Sequence, residues 1–533
     1  MPTTAHVPLI LIRGFGGLNV DDERQVAYQG FNEGTVYPQK RGENYIYEGL
    51  ILKYLKSLWH YHDATNVVGY YRQPIIDERE LPDDLKVLDP GYFTGHSVVI
   101  DAGTALDLIS TNEDPRRSLW VFRYYDLDAR SFPVYGSALV RLVDFIRDLT
   151  VLKTGQPRPL VNIIAHSMGG LVVREALQRT LPGLGRKGAD CINKIVTLGT
   201  PHQGVSFQII RDWKFIDADE ELERFNPDAQ KDPANPWSYV NFGQHFPPER
   251  VLTVVGTNYK SYSARAATGF NRLFSTPQEF GWNYNRSDGL VKQSSAQLPG
   301  APRTFVHKCH GGYDSLVTSR ESFEISTRFF HGDIYVRVNL LEAEVKRGFD
   351  FFGKSEMFLG MSVKPRRVDF ELFHQSAEAE NCYGPFRTAD FSDALAARDG
   401  FGWAGPDRLI WEGWFDTSRI TPAGVQRIGE AERRDLVMRF DFYVGERDLL
   451  GVGFSDNVIF RKQYYIRAVA GGQQSLTATL EDMELYLYAD EDFGDTANAA
   501  KLERANGQWT FVIEGTGFKG RLGISVTQLP EAS

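Results

Sequence analysis

A serine flanked by small residues stands between a predicted strand and a predicted helix. The stretch AHSMGG, residues 165–170, follows an apolar run at residues 160–165 and precedes a helical pattern. A serine in such a sharp turn has a strained backbone that exposes its hydroxyl as a nucleophile, and small residues must stand two positions before and after it. Ala165 and Gly169 meet that need, so Ser167 is the candidate nucleophile. The alternative is an ordinary strand-to-helix turn whose glycines only ease packing.

The elements that must position this serine alternate along the first 330 residues, where short apolar runs are followed by helical patterns. The predicted strands are short and apolar, as strands covered on both faces should be, and lie at residues 7–12, 119–124, 160–165, 194–198, 251–255 and 303–307. Helices are predicted at residues 137–153, 170–180 and about 314–330. This alternation predicts the α/β class, with a mostly parallel sheet flanked by helices.

Two long inserts interrupt the alternation, near residues 19–118 and 205–250. Connections of that length in a compact domain are usually lids or caps. Four aromatic residues of the second insert could line an apolar cleft or simply pack the insert: Trp213, Phe215, Trp237 and Phe242.

After residue 331 the pattern changes to many short strand-like runs separated by turn signals, and long helical patterns are nearly absent. The predicted strands lie at residues 333–341, 358–363, 367–373, 436–444, 458–465, 476–480, 483–488, 509–514 and 521–526. Such a series predicts a β-sandwich. We therefore expect two domains, an α/β domain at residues 1–331 and an all-β sandwich at residues 332–533.

Residues 160–174 resemble the nucleophile elbow of α/β-hydrolase lipases, and four further segments agree with that resemblance. They are residues 9–17 (first strand and oxyanion loop), 122–131 (a weak likeness to lecithin-acyltransferase-like lipases), 198–204 (after the next strand) and 287–291 (acid loop). One residue departs from the pattern, because Arg13 stands where such lipases commonly have histidine. The resemblance covers about residues 7–330 and implies an α/β-hydrolase fold with the activity of a serine carboxylic-ester hydrolase, a lipase or esterase.

A serine hydroxyl becomes nucleophilic when a histidine takes its proton, and in this fold the acid and then the histidine follow the serine along the chain. Six histidines follow Ser167: His202, His245, His307, His310, His331 and His374. In the resembling lipases the segment of His202 shapes the site without supplying the base, and His245 precedes a strand. The last two histidines fall at or beyond the domain boundary. His310 begins a loop after the last strand and is favoured over His307, which continues that strand; either could instead be a hydrogen-bonded strand-end histidine.

The acid is predicted at Asp288, which lies between the strand at residues 251–255 and the strand that precedes His310. That is the position of the acid in the resembling fold. Asp-Gly is also a common turn pair, so a turn without a catalytic part remains the alternative. Asp232, Glu249 and Glu279 are weaker candidates because none has a comparable setting.

The oxyanion formed on attack needs preorganised donors, which in this fold are backbone amides. We expect them at Met168, directly after the nucleophile, and at Phe15, in the loop after the first strand. The glycines of that loop lack the spacing of a dinucleotide fingerprint, and the histidine pair at residues 60–62 lacks a third ligand. No cofactor and no catalytic metal are therefore expected.

The composition excludes several other classes of function. Hydrophobic residues make up 42% and charged residues 24% of the chain, and the net charge of -10 argues against a nucleic-acid surface. No stretch of about 20 apolar residues and no signal-peptide pattern are present, so no transmembrane segment is expected. Three cysteines form no disulfide framework, and a cytoplasmic location fits best, with export by a route without a signal peptide as the alternative.

Three alternatives to ester hydrolysis remain open at this point. The same triad could act as an acyltransferase or a phospholipase, or the chain could be a lipid-binding module that keeps a hydrolase fold. Residues 334–363 faintly resemble a C2-type lipid-binding domain, but Asp350 and Glu356 alone make an incomplete calcium site. The expected partners are an ester or lipid substrate, with a lipid surface as a further candidate.

Overall fold

A seven-stranded parallel sheet forms the first half of the chain, and two antiparallel sheets form the second half. The computed structural model describes residues 6–14, 49–57, 59–64, 79, 81–93, 102–122, 131–204, 224–259, 286–311, 314–346, 356–366, 368–386, 407–416, 435–447, 457–470, 483–489 and 499–529. Within these ranges, no helix is both long and apolar enough to cross a membrane.

The parallel sheet has the spatial order β2-β3-β1-β4-β5-β6-β7. Its strands are β1 (Leu9–Ile12), β2 (His62–Asp63), β3 (Ser118–Phe122), β4 (Val161–His166), β5 (Ile192–Leu198), β6 (Val251–Gly256) and β7 (Arg303–Val306). Six of them coincide with predicted strands. The short edge strand β2 lies inside the first insert, so part of that insert belongs to the sheet itself.

Alternate residues of the buried strands face two different apolar layers. In β1, Leu9 and Leu11 belong to one core cluster and Ile10 and Ile12 to the other, and all four are fully buried. Successive side chains of a strand point to opposite faces, so a strand covered on both faces must be apolar throughout. This is why these strands appear in the sequence as continuous apolar runs.

Helices cover both faces of the sheet. They are α1 (Leu50–Lys56), α2 (Ala102–Ser110), α3 (Phe132–Thr154), α4 (Met168–Glu175, continued by a π-helical turn at Ala176–Thr180 and by Leu181–Gly183), α5 (Pro227–Lys231), α6 (Phe242–His245) and α7 (Arg320–His331). Helix α7 begins six residues later than the predicted residue 314, because the Ser319 hydroxyl caps it by accepting from Ser322 N at 3.1 Å.

The second half is antiparallel throughout its described pairings. One sheet, in the order β10-β9-β13-β14-β15-β16 with β11 also on β9, contains β9 (Glu356–Pro365), β10 (Phe373–His374), β11 (Tyr383–Phe386), β13 (Asp435–Arg447), β14 (Asn457–Ala470), β15 (Met483–Tyr488) and β16 (Ala500–Lys501). The other, in the order β12-β8-β19-β18-β17, contains β8 (Ile334–Val345), β12 (Leu409–Phe415), β17 (Glu503–Ala505), β18 (Gln508–Glu514) and β19 (Phe518–Gln528). The predicted strand at 367–373 is reduced to β10, and the one at 476–480 lies outside the described residues. The predicted α/β class with a parallel sheet, followed by an all-β region of antiparallel sheets, is confirmed.

One apolar cluster runs without a break from the parallel sheet into the sandwich. The two sandwich sheets meet through Trp411 and Phe440, whose ring centroids are 5.9 Å apart. At the boundary with the α/β half, Phe329 of α7 lies edge-on to Trp414 of β12 at 4.7 Å. The two halves therefore share buried apolar surface, which is the dominant stabilising contribution in folding.

This shared cluster predicts that damage in the sandwich destabilises the α/β half. Replacing Trp414 by Ala should lower the free energy of unfolding by about 3 to 5 kcal/mol, since the cavity borders Phe329 in α7. Urea unfolding followed by helical circular dichroism, which reports the α/β half, measures this. Val512→Ala is the control, because Val512 is 46% exposed and such surface changes stay within about 0.5 kcal/mol. If the helices of Trp414→Ala unfold at the same urea concentration as those of wild type, this result would contradict the shared core.

Candidate active site

Ser167 occupies the turn between β4 and α4 with a positive φ of 52° and a ψ of -124°. Its backbone is held on both sides, because Ser167 N donates to Leu198 O at 2.9 Å and Thr200 Oγ1 donates to Ser167 O at 2.8 Å. A residue with a Cβ keeps such a conformation only where the surroundings enforce it. The local geometry is that of a nucleophile elbow.

The small residues around the elbow are required by close backbone contacts. A Cβ on Gly169 would lie 2.4 Å from Arg13 O and 2.8 Å from Ile12 O, at the end of β1. A Cβ on Gly14 would lie 2.9 Å from Ser167 Cβ. Arg13 and Gly14, which follow β1, thus lie against the elbow, on the side where the oxyanion loop is expected.

Ser167, His310 and Asp288 form one continuous chain of hydrogen bonds. Ser167 Oγ lies 2.8 Å from His310 Nε2, and His310 Nδ1 lies 2.8 Å from Asp288 Oδ2. With its proton on Nδ1, the imidazole donates to the carboxylate and leaves Nε2 free to accept the serine proton. All three side chains are buried, with at most 3% of each residue exposed.

The acid sits in a tight loop that holds its carboxylate in one orientation. Asp288 Oδ1 accepts from Val291 N at 2.8 Å and from Leu290 N at 3.1 Å, which leaves Oδ2 for the histidine. The backbone supports the pair too, because His310 N donates to Asp288 O at 2.8 Å. A Cβ on Gly199 would lie 2.8 Å from Asp288 Oδ2, so this residue at the end of β5 keeps the space for the acid–base pair.

His166, next to Ser167 in the elbow, contacts His310 and was not predicted to be a site residue. Its Nε2 lies 2.9 Å from His310 O, and because a carbonyl only accepts, Nε2 carries the hydrogen. Burial, followed by the nearby His310, lowers the pKa of His166 well below its usual value, so the ring is neutral. Its Nδ1 has no partner among the described residues and faces Gly14. Only the position of His166 beside Ser167 could have indicated it.

His202 and His307 have side-chain partners other than Ser167. His202 Nε2 lies 3.0 Å from Thr197 Oγ1, and burial, with Arg174 as a smaller cause, lowers its pKa well below the usual value. His307 Nδ1 lies 3.2 Å from Thr257 Oγ1, and its ring packs on His374 of the sandwich at 5.1 Å.

The positions of two further histidines, His245 and His331, and of the alternative acids are as follows. His245 ends α6, and the ring of His331 stacks on Trp59 at 3.7 Å. Asp232 accepts from Ala234 N at 2.9 Å, and Glu249 lies in a short 3₁₀ turn, Pro248–Arg250. Glu279 lies outside the described residues.

The predicted oxyanion donors are only partly described. Met168 is the first residue of α4, where backbone N–H groups have no acceptor within the helix, and its side chain is 1% exposed. Phe15 lies outside the described residues and directly follows Gly14. Among the described residues, no cluster of three or more histidine, cysteine, aspartate or glutamate side chains could hold a metal ion.

The described part of the second insert is fixed to the nucleophile helix. Trp237 lies between the guanidinium groups of Arg224, at 3.8 Å from the ring centroid, and Arg179, at 4.4 Å, while its Nε1 donates to Glu175. Phe242 is buried in the core at 2% exposure. Trp237 thus packs against α4 and Phe242 packs in the core, whereas Trp213 and Phe215 lie outside the described residues.

One family of known sequences matches part of the chain. The sequence pattern of the PGAP1-like alpha/beta domain matches residues 104–244, a segment that includes the elbow but neither Asp288 nor His310. No curated protein matches the chain. Together with the parallel sheet and the elbow, the match at residues 104–244 supports the predicted α/β-hydrolase fold for the first half of the chain.

Three solved structures resemble parts of the chain at low identity. The lipase BlEst2 of Bacillus licheniformis, in mature form, is 15% identical over 42% of this chain and 85% of that one, with a TM-score of 0.28. The phospholipase PlaB of Legionella pneumophila in complex with thio-NAD is 11% identical over 63% of this chain and 82% of that one, with a TM-score of 0.26. A second PlaB structure is 13% identical over 61% and 78%, with a TM-score of 0.25.

The close approach of Gly169 to Arg13 O predicts that a side chain added at Gly169 selectively lowers the reactivity of Ser167. A Gly169→Ala side chain would lie 2.4 Å from Arg13 O, so β1 or the elbow must shift, and labelling of Ser167 by a fluorophosphonate should slow about 100-fold. Gly183→Ala is the matched control, because nothing lies within 4 Å of its added Cβ. Equal labelling rates in the two folded variants would contradict the proposed packing of β1 over the elbow.

Proposed function

We propose that this chain is a serine hydrolase that cleaves carboxylic esters through an acyl-enzyme on Ser167. The observation that carries the proposal is the buried hydrogen-bond chain from Asp288 through His310 to Ser167, with 2.8 Å at each step. A serine, a histidine and a carboxylate in this order are the groups that activate a hydroxyl for attack on an acyl carbon.

In the first half-reaction His310 Nε2 takes the proton of Ser167 Oγ while Oγ attacks the ester carbonyl carbon. The resulting oxyanion accepts hydrogen bonds from the amide of Met168 and, in our proposal, that of Phe15. Asp288 stabilises the imidazolium through Nδ1, and Nε2–H then protonates the departing alcohol. In the second half-reaction water gives one proton to His310 Nε2 as its oxygen attacks the acyl carbon. The tetrahedral intermediate then breaks its bond to Ser167 Oγ, which takes the proton back from His310, and the free acid leaves.

The substrate class we propose is an ester with an extended, lipid-like acyl chain. Support comes from the enclosed setting of the triad, where Ser167 is 3% and His310 is 2% exposed. A substrate that binds in such a site is transferred out of water, and this transfer is favourable in free energy for its apolar groups. Transfer of the acyl group to an alcohol instead of water would use the same triad.

Substitution of the triad tests the chemistry. Ser167→Ala should lower kcat/KM for a p-nitrophenyl ester by a factor on the order of 10⁴ or more without unfolding the chain. His310→Ala should have an effect of similar size. His307→Ala serves as the matched control, because its Nδ1 pairs with Thr257 and not with the serine. Undiminished activity in folded Ser167→Ala, or a larger loss in His307→Ala than in His310→Ala, would overturn the assignment.

A chain-length series tests the substrate class. From acetate to decanoate esters, kcat/KM should rise by up to about fourfold for each methylene that the site buries, which corresponds to about 0.8 kcal/mol per CH₂. The measurement uses p-nitrophenyl esters below their aggregation limit, with and without an added acceptor alcohol. A maximum at acetate would contradict the lipid-like chain, and an alkyl ester product that exceeds the free acid would favour an acyltransferase.

A further inference from the structure

The loop that carries Asp288 is in direct contact with the β-sandwich. Gln293 closes this loop, since Gln293 N donates to Arg286 O at 2.8 Å, and its side chain is 2% exposed. Its Nε2 donates to Ala379 O at 2.9 Å, across 86 positions of sequence. Ala379 lies in the connection between β10 and β11, residues 375–382, which we call the bracing loop.

The bracing loop is itself locked to the sandwich by two buried amides. Gln375 Oε1 accepts from Met361 N in β9 at 3.1 Å, and Gln375 Nε2 donates to Asn381 O at 2.9 Å. Asn381, which is fully buried, donates to His374 O at 2.7 Å and accepts from Ser376 N at 3.0 Å. Ala379 O, which accepts the hydrogen bond from Gln293, is therefore held by a fixed framework, as a supporting group must be.

The strand that leads to His310 rests on the same part of the sandwich. Thr304 in β7 donates its hydroxyl to Leu372 O, and the rings of Phe305 and Phe373 are 5.6 Å apart. The sandwich thus contacts the segments of both the acid and the base, although their side-chain hydrogen bonds are made within the α/β half.

We infer that Gln293 is a positioning residue through which the sandwich holds the acid loop in its reactive geometry. It touches neither substrate nor reacting atoms and acts through Asp288, whose carboxylate is oriented by Leu290 N and Val291 N of the same loop. The inference rests on the proposed hydrolase chemistry and extends it, because it assigns the sandwich a part in turnover.

The side chain of Gln293 allows a sharp test. Its Oε1 is buried and has no partner among the described residues, so Gln293→Met keeps the volume and removes both the donor and that unsatisfied acceptor. Removing the unsatisfied Oε1 stabilises the fold. This gain offsets part of the free energy of unfolding that is lost with the hydrogen bond. A purely structural role for Gln293 would therefore leave turnover per folded site unchanged.

The experiment measures kcat per active site, counted by titration with a phosphonate ester, together with KM for a p-nitrophenyl ester, in the full-length chain. For Gln293→Met we expect kcat to fall about tenfold or more, as a slightly misplaced catalytic group does, with KM within about twofold of wild type. Gln375→Met should act in the same direction, and the double variant should lose less than the product of the two single losses.

The matched control is Asn339→Leu, which removes a donor to Asp407 O at 2.6 Å inside the sandwich. Its kcat per titrated site should equal that of wild type. Wild-type kcat per site in Gln293→Met, or an equal loss in Asn339→Leu, would overturn the inference.

Hydrogen exchange of the peptide at residues 286–297 gives a second readout that needs no substrate. Exchange should be faster in Gln293→Met than in wild type and unchanged in Asn339→Leu. A wild-type chain that is inert toward esters and phosphonates would refute the hydrolase proposal, while this exchange would still decide whether the sandwich braces the loop. Unchanged exchange in Gln293→Met would overturn the bracing.

Discussion

The positive φ of Ser167, 52°, is the constraint around which the α/β half is arranged. A residue with a Cβ in such a conformation carries a cost of about 1 to 3 kcal/mol, which the surrounding structure must offset. Leu198 O and Thr200 Oγ1 hold its backbone, and Gly169 fits under Arg13 O at the end of β1. Each contact uses the end of a strand next to β4, so the elbow depends on the parallel order of the sheet.

The same order explains why Asp288 and His310 meet Ser167. The carboxyl ends of parallel strands lie along one edge of a sheet, and the loops after β6 and β7 carry Asp288 and His310 to that edge. Burial then strengthens the electrostatic interactions of the pair, because little water competes for the hydrogen bonds. The sandwich contacts the α/β half outside this edge. Ala379 O accepts a hydrogen bond from Gln293, and Trp414 packs on Phe329 of α7. The sandwich therefore contacts both the loop that carries Asp288 and the helix α7 of the α/β half.

Much of this architecture could be predicted from the sequence, because the signals are local. The strands of the parallel sheet are apolar throughout, and the elbow combines small residues with a strand and a helix within a few positions. The positions of Asp288 and His310 followed from the order of elements in the resembling fold. The contacts of His166 and Gln293 could not be predicted, because their partners lie 144 and 86 positions away and a single sequence carries no signal for such pairs. The start of α7 was misplaced because the Ser319 cap, and not the apolar period, determines it.

Activation of Ser167 as a nucleophile by His310 is tested by the site at which a covalent adduct forms. The full chain is treated with a p-nitrophenyl phosphonate, digested and analysed by mass spectrometry, beside the His310→Ala variant under the same conditions. We expect one adduct per chain, located on Ser167, with release of one equivalent of p-nitrophenol and little reaction in His310→Ala. An unmodified Ser167, an adduct on a different residue, or equal reaction in the histidine variant would contradict it.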